Sequence, residues 1–145
     1  MQGEELAAAI EPLHESGFGW ALACCGRDDD MAKEILQSAY VKILEGKARF
    51  DGRSTLKTWL FGVIRRTAAE HRRRALVDSA RRAFGGRDDR APAASPDPES
   101  RLVESEKGRA VRRALGRLSG RQREVLHLGL HEDLTLEECA RVLEM

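Results

Sequence analysis

DDDMAKEILQSAYVKILEGKARFDGRSTLKTWLFGVIRRTAAEHRRR, residues 28–74, decides the fold. Its first part opens on three acids and then sets Met31, Ile35, Ala39 and Ile43 four apart, beside an adjoining row of Ala32, Leu36, Tyr40 and Leu44. Two such rows give an α-helix an apolar face wide enough for a core. Asp30 is the expected N-cap, with Asp28 and Asp29 favourable near the positive helix end. Gly46 is the expected stop. After a short bridge, Ser54 or Thr55 caps a long helix with Leu56, Trp59, Leu60, Val63 and Thr67 facing inward. At about 100° per residue, Phe61, Arg65 and Arg72 fall on the opposite side, flanked by Lys57 and Thr58. A Phe exposed within a basic face is unusual for a purely structural helix. Gly62 inside the same helix costs up to about 1 kcal/mol against Ala, so packing or function must compensate.

Outward from this stretch the pattern stays helical. Leu6, Ile10 and Leu13 mark a first helix, which Gly17 to Gly19 is expected to interrupt before Trp20 to Cys25 resume it. From about Phe84 to Ser100 the chain reads FGGRDDRAPAASPDPES, where Gly, Pro, Ser and Ala remove all periodicity. That composition predicts a flexible linker over 84–100 between a first domain, 1–83, and a second, 101–145. Leu102, Val103, Ala110, Val111, Ala114, Leu115 and Leu118 mark a helix of the second domain. Ser119 with Gln122 forms a capping box for a helix holding Val125, Leu126 and Leu128. Thr135 with Glu138 forms another, for a helix with Leu136, Ala140, Val142 and Leu143. Two short helices with a tight corner begin a helix-turn-helix, and the sequence reaches Met145 where the second helix of that motif is expected. Alternating β-branched runs and Asn-Gly hairpins are absent from the sequence, so the expected fold class is all-α.

Composition narrows the function. No apolar run approaches the roughly 20 residues of a membrane span. The start, MQGEELAAAIEPL, lacks the cationic head and apolar body of a signal peptide, which makes the cytoplasm the expected location. The net charge of +1 hides an asymmetry: residues 1–44 hold 3 bases and 8 acids, residues 45–82 hold 11 and 4, and residues 83–145 hold 11 and 12. A basic centre of net +7 is where a nucleic acid would bind. The three cysteines form no disulfide framework and read as small apolar helix residues. Cys24, Cys25 and His14 match no zinc spacing. His127 and His131 stand four apart, on one helix face, without a well-placed third ligand. No nucleophile–base pair, phosphate loop or metal cluster is legible, so neither enzyme activity nor a cofactor is expected.

An acid-started amphipathic helix beside a helix mixing aromatics with arginines suggests a module that holds a protein partner and opens a nucleic acid. On the first helix, Glu34, Gln37, Ser38 and Val41 lie away from the apolar face, and an exposed Val among polar residues suits a helical partner. On the second, Lys57, Arg65, Arg66, Arg72, Arg73 and Arg74 would supply phosphate contacts, each worth a log–log salt slope of about 0.9 on duplex DNA. Phe50, Trp59 and Phe61 are the candidate base-stacking residues. Base stacking averages about 1.4 kcal/mol per step, so opening roughly ten pairs costs on the order of 10 kcal/mol or more. Each base caught on an aromatic returns about 1–3 kcal/mol. One or two captured bases cannot hold a bubble, and the module must work as part of a larger machine.

These residues resemble bacterial sigma factors, in particular the small two-domain extracytoplasmic-function group. Ala32-Lys33-Glu34-Ile35-Leu36-Gln37 followed by Tyr40 resembles that family's Ala-Glu-Asp-Leu-Val-Gln helix, which implies docking on the beta-prime clamp of RNA polymerase core. Phe50-Asp51-Gly52-Arg53-Ser54 and Thr58-Trp59-Leu60 resemble the loop and helix start that read and open the minus-ten promoter element. The resemblance thus implies DNA contacts for Phe50, Arg53, Ser54, Thr58 and Trp59. Leu118-Ser119 with Arg121-Gln122-Arg123-Glu124-Val125, and Leu134-Thr135-Leu136-Glu137-Glu138-Cys139-Ala140, resemble the start of the second sigma domain. The implied architecture is a region 2-like helical bundle, a flexible linker and a cut-short region 4-like helix-turn-helix domain. The implied partners are RNA polymerase core, promoter DNA and an anti-sigma factor.

Four positions make three departures from the family pattern. Lys33 and Ser38 replace acids usual on the docking helix, Arg66 stands where an Asn is frequent near the flipped base, and Glu144 takes the corner Gly position. Without a recognition helix the second domain is not expected to read the minus-thirty-five element. Two rivals follow: a sigma-like regulator that binds polymerase without starting transcription, and a small metal enzyme using His127, His131 and Cys139.

Overall fold

The structure, a computed structural model, describes residues 3–84 and 105–143 and is all-α over them. Helix α1 (Gly3–Ile10) leads through a single 3₁₀ turn (Glu11–Leu13) into α2 (His14–Cys24). Then follow α3 (Asp29–Leu44), the long α4 (Leu56–Phe84), α5 (Glu106–Gly116), α6 (Gly120–Leu126), a π turn (His127–His131) and α7 (Leu136–Leu143). The expected linker, 84–100, and the expected helix residues Leu102 and Val103 fall almost wholly outside the described residues.

Local chemistry sets the boundaries, with two corrections to the expected ones. The break before α2 comes at Pro12, in the 3₁₀ turn, and α2 runs straight through Gly17 and Gly19. Gly17 is there for proximity: a Cβ on it would sit 3.3 Å from Ile64 Cδ1 and 3.5 Å from Leu36 Cδ1, so its absence lets α2 approach α3 and α4. The N-cap of α3 is Asp28, not Asp30; its carboxylate accepts from the Met31 backbone N–H at 3.2 Å. That choice leaves Asp29 and Asp30 in the first turn, facing the positive helix end. Gly46, at φ +77°, ends α3 as expected. Thr55 caps α4 by accepting from the Thr58 N–H at 3.2 Å. Ser119 with Gln122, and Thr135 with Glu138, form the two capping boxes read from the sequence.

Trp20 is the centre of the core. It is fully buried, and its indole N–H donates to the Phe61 carbonyl at 2.9 Å. Around it pack Ile35, Ala39 and Ile43 from α3 and Leu60, Phe61, Val63 and Ile64 from α4. Leu128, Cys139, Val142 and Leu143 join the same cluster, so α7 and the π turn close over α4 and α2. Two residues assigned inward by periodicity lie outside instead: Leu44 is 59% exposed and Leu136 87%. Each sits in a terminal turn of its helix. Leu126 is also exposed, whereas Leu128 is buried. Amphipathic α5 buries none of its residues. Cys24 and Cys139 are core residues with free thiols, and burial raises both thiol pKa values.

Candidate protein-docking and nucleic-acid surfaces

Helix α3 offers the first surface. Glu34, Gln37 and Val41 are exposed, and their i, i+3, i+7 spacing lines them up along one strip. Val41 is 45% exposed, and Leu44 extends the strip with a second bare apolar side chain. Sequence reasoning missed Leu44 because it belonged to a core row. Ser38 leaves the strip: its hydroxyl meets His71 Nε2 of α4 at 3.2 Å. Beside it Lys42 donates to Thr67 at 3.1 Å and to the Glu70 carboxylate at 2.6 Å, which crosslinks α3 to α4 and lowers the Glu70 pKa. Ser38 is therefore part of the α3–α4 seam.

The second surface is where the structure most changes the reading. Phe61, expected outward among arginines, is 0% exposed and stacks on Trp20 with ring centres 5.7 Å apart and an interplanar angle of 6°. The physical cause is that α2 and α7 both pack on α4, with Trp20 of α2 lying on the ring. Thr58 is buried with it, in hydrogen-bonding reach of Glu138 at 3.3 Å. Arg65 donates from Nε to Glu124 at 2.9 Å, with side-chain exposures of only 17% and 6%. Lys57 meets the Glu132 carboxylate at 2.6 Å and its ammonium stands 5.8 Å from the Phe61 ring centre. Three acids of the C-terminal helices thus take up Lys57, Thr58 and Arg65. Glu124, Glu132 and Glu138 were not read as partners, because their matches lie at least 59 positions away.

What stays open lies on the neighbouring side of α4. Trp59 is half-buried, donates to the Arg49 carbonyl at 3.0 Å and packs at 55° against Phe50, with ring centres 5.4 Å apart. Arg66 and Arg73 are exposed at successive steps of seven from Trp59. Seven residues turn a helix by nearly two full turns and advance it about 10 Å. The aromatic pair therefore opens a track of guanidiniums on one face. Arg72 is also exposed, beyond the covered part of its own face. Before the pair, Arg53 is exposed; its backbone N–H is held by Asp51 at 3.0 Å and its guanidinium stands 3.4 Å from the same carboxylate. Ser54 is half-exposed at the helix start.

The histidines gain the neighbour that spacing alone did not supply. His127, His131 and Glu132 bring one potential ligand atom each to within 4.8 Å of one another. Cys139, once paired with them as a possible ligand, turns its sulfur to the Leu134 carbonyl instead. Cys24, Cys25 and His14 do not meet: Cys24 is core, Cys25 contacts the Asp28 carbonyl, and His14 bonds the Tyr40 hydroxyl at 2.9 Å.

Residues 14–76, spanning α2 to most of α4, match the family described as Sigma-70 region 2. The stretch that carries both surfaces is therefore similar to sigma-70 region 2 over 63 of the chain's 145 residues. The chain is 29% identical over 114 residues to the RNA polymerase sigma factor YlaC of Bacillus subtilis (strain 168), a match covering 79% of this chain and 65% of that protein. It is 27% identical over 121 residues to the ECF RNA polymerase sigma factor SigX of the same organism, covering 81% and 61%. The chain spans less than two thirds of the length of either of these two sigma factors. No solved structure gives a significant match. Among the described residues, no helix is long and apolar enough to cross a membrane.

Proposed function

We propose that this chain acts as a sigma factor, directing RNA polymerase core to promoters and assisting their opening. The observation that carries this reading is a region 2-like bundle with two separate exposed surfaces: the Glu34–Gln37–Val41 strip on α3, and the Phe50/Trp59 pair continued by Arg66 and Arg73. The first would dock on the beta-prime clamp, with Leu44 adding apolar contact. The second would hold the non-template strand of the minus-ten element, stacking a base on the aromatic pair and its phosphates on the guanidiniums. Arg53, Ser54 and Arg72 lie at the margins of that track, and Lys57 and Arg65 would join it once their acids release them. In this reading residues 1–83 do the docking and opening, residues 101–145 form a region 4-like unit, and the protein works in the cytoplasm. The role is regulatory, not catalytic.

The test is run-off transcription with core polymerase on a supercoiled genomic library. Promoter-specific transcripts above those of core alone are expected, and Gln37→Ala should weaken polymerase binding without affecting DNA binding. The absence of any such transcript would count against an initiating role. A second reading is favoured by the ion pairs over α4: a polymerase-bound regulator, or a sigma factor kept closed until an anti-sigma factor or core reshapes it. It expects normal polymerase binding with no transcripts, and recovery of transcripts when Glu124 and Glu132 are replaced by Gln.

A further inference from the structure

The π turn between α6 and α7 holds a group of side chains that neither proposed surface uses. His127 lies in the seam with its ring centre 5.5 Å from that of Trp20 and 4.8 Å from that of His131. Its Nε2 is buried and has no hydrogen-bond partner. An unmet buried polar atom costs about 1–3 kcal/mol, so such an atom calls for an explanation. The nearest carboxylate oxygen, Glu132 Oε1, is 3.8 Å away, too far for a hydrogen bond. The other oxygen of the same carboxylate is engaged by Lys57 at 2.6 Å, so Oε1 is the oxygen on the side of His127.

A separation of 3.8 Å is too long for a proton to bridge and close to what a metal ion spans. Two ligands at about 2.0–2.1 Å from a tetrahedral zinc stand roughly 3.3 Å apart. The three candidate atoms lie within 4.8 Å of one another, and His131, being exposed, can turn inward to close the remaining gap. Burial, followed by the nearby His131, lowers the His127 pKa to about 4, so the ring is neutral, as a ligand must be. Two imidazoles and one carboxylate are a borderline donor set, suited to zinc and its neighbours and poorly suited to calcium or magnesium.

We propose that His127, His131 and Glu132 form a binding site for one divalent transition ion of the zinc class, with the fourth position left to water. The ion would fasten the π turn where it meets α2 and α4.

The experiment is titration of the full chain with Co2+ and then Zn2+, read by visible absorption and by thermal denaturation. One equivalent of Co2+ should give the d–d bands of tetrahedral coordination without thiolate charge transfer, Zn2+ should displace it, and each ion should raise the Tm. His131→Ala, a change at an exposed position, should leave the metal-free Tm unchanged and weaken Co2+ binding at least tenfold. Glu132→Gln should weaken it as well, with the loss of the Lys57 pair measured separately in the metal-free Tm. Thiolate bands would place the ion on a cysteine and overturn the assignment. So would Co2+ binding unaltered by His131→Ala, or an absence of saturable binding.

Discussion

The two sides of α4 start from the same ingredients and end differently. Phe61, Lys57 and Arg65 form one aromatic–cationic group; Trp59, Arg66 and Arg73 form another, rotated around the helix. The first is covered by α2 and α7, with its cations met by Glu132 and Glu124. The second remains at the surface. Aromatics interleaved with arginines therefore do not by themselves mark an exposed face, since distant acids can cover one such group and leave a neighbouring one at the surface. On α4 the decision rests with carboxylates that lie more than fifty positions later in sequence.

The comparison can be broken most directly at Phe61. As a core ring against Trp20, Phe61→Ala should cost about 3–5 kcal/mol in chemical denaturation. Unchanged stability with lost DNA affinity would restore it to the binding surface. Its counterpart, Trp59→Ala, should lower affinity for a single-stranded minus-ten oligonucleotide by about 1–3 kcal/mol, measured by fluorescence anisotropy. Equal affinities in the two proteins would remove Trp59 from strand capture.

Opening the covered side sharpens the contrast further. The pair Glu124→Gln and Glu132→Gln frees Arg65 and Lys57, and two extra phosphate contacts should steepen the log–log salt dependence of duplex binding by about 1.8. The same double variant loses two largely buried ion pairs and should be less stable than the parent, because each leaves a cation without its partner. A slope that stays put would mean the covered cations do not reach DNA even when released. Gly62 gives the smallest effect. A Cβ there would meet nothing within 4 Å, so Gly62→Ala should stabilise α4 by up to about 1 kcal/mol. A more stable variant with poorer promoter opening would supply the functional reason that packing does not.

Much of the bundle was legible because periodicity reports burial whenever one partner layer covers one face. Ile35, Ala39 and Ile43 read as core and are core, and both capping boxes stand where their residue types placed them. The exposure of Glu34, Gln37 and Val41 was legible for the same reason, in negative: they are what an apolar face leaves over. Ser38 was misassigned because a helix wheel knows only its own helix, and His71 belongs to another. The α2 boundary was misread because glycine is a breaker by propensity and a spacer by packing, and Ile64 and Leu36 decided for the spacer.

Sequence by itself determined most of the helices, the two capping boxes, the basic centre and the presence of an exposed strip and a cationic helix, since each depends on residues within a few turns of one another. Tertiary structure alone decided which face of α4 stays wet, which acids answer its cations, and that His127, His131 and Glu132 converge. Those outcomes depend on what is packed on top. A helix carries its own periodicity in its sequence, but its neighbours and their charges are set only when distant segments compete for the same apolar surface.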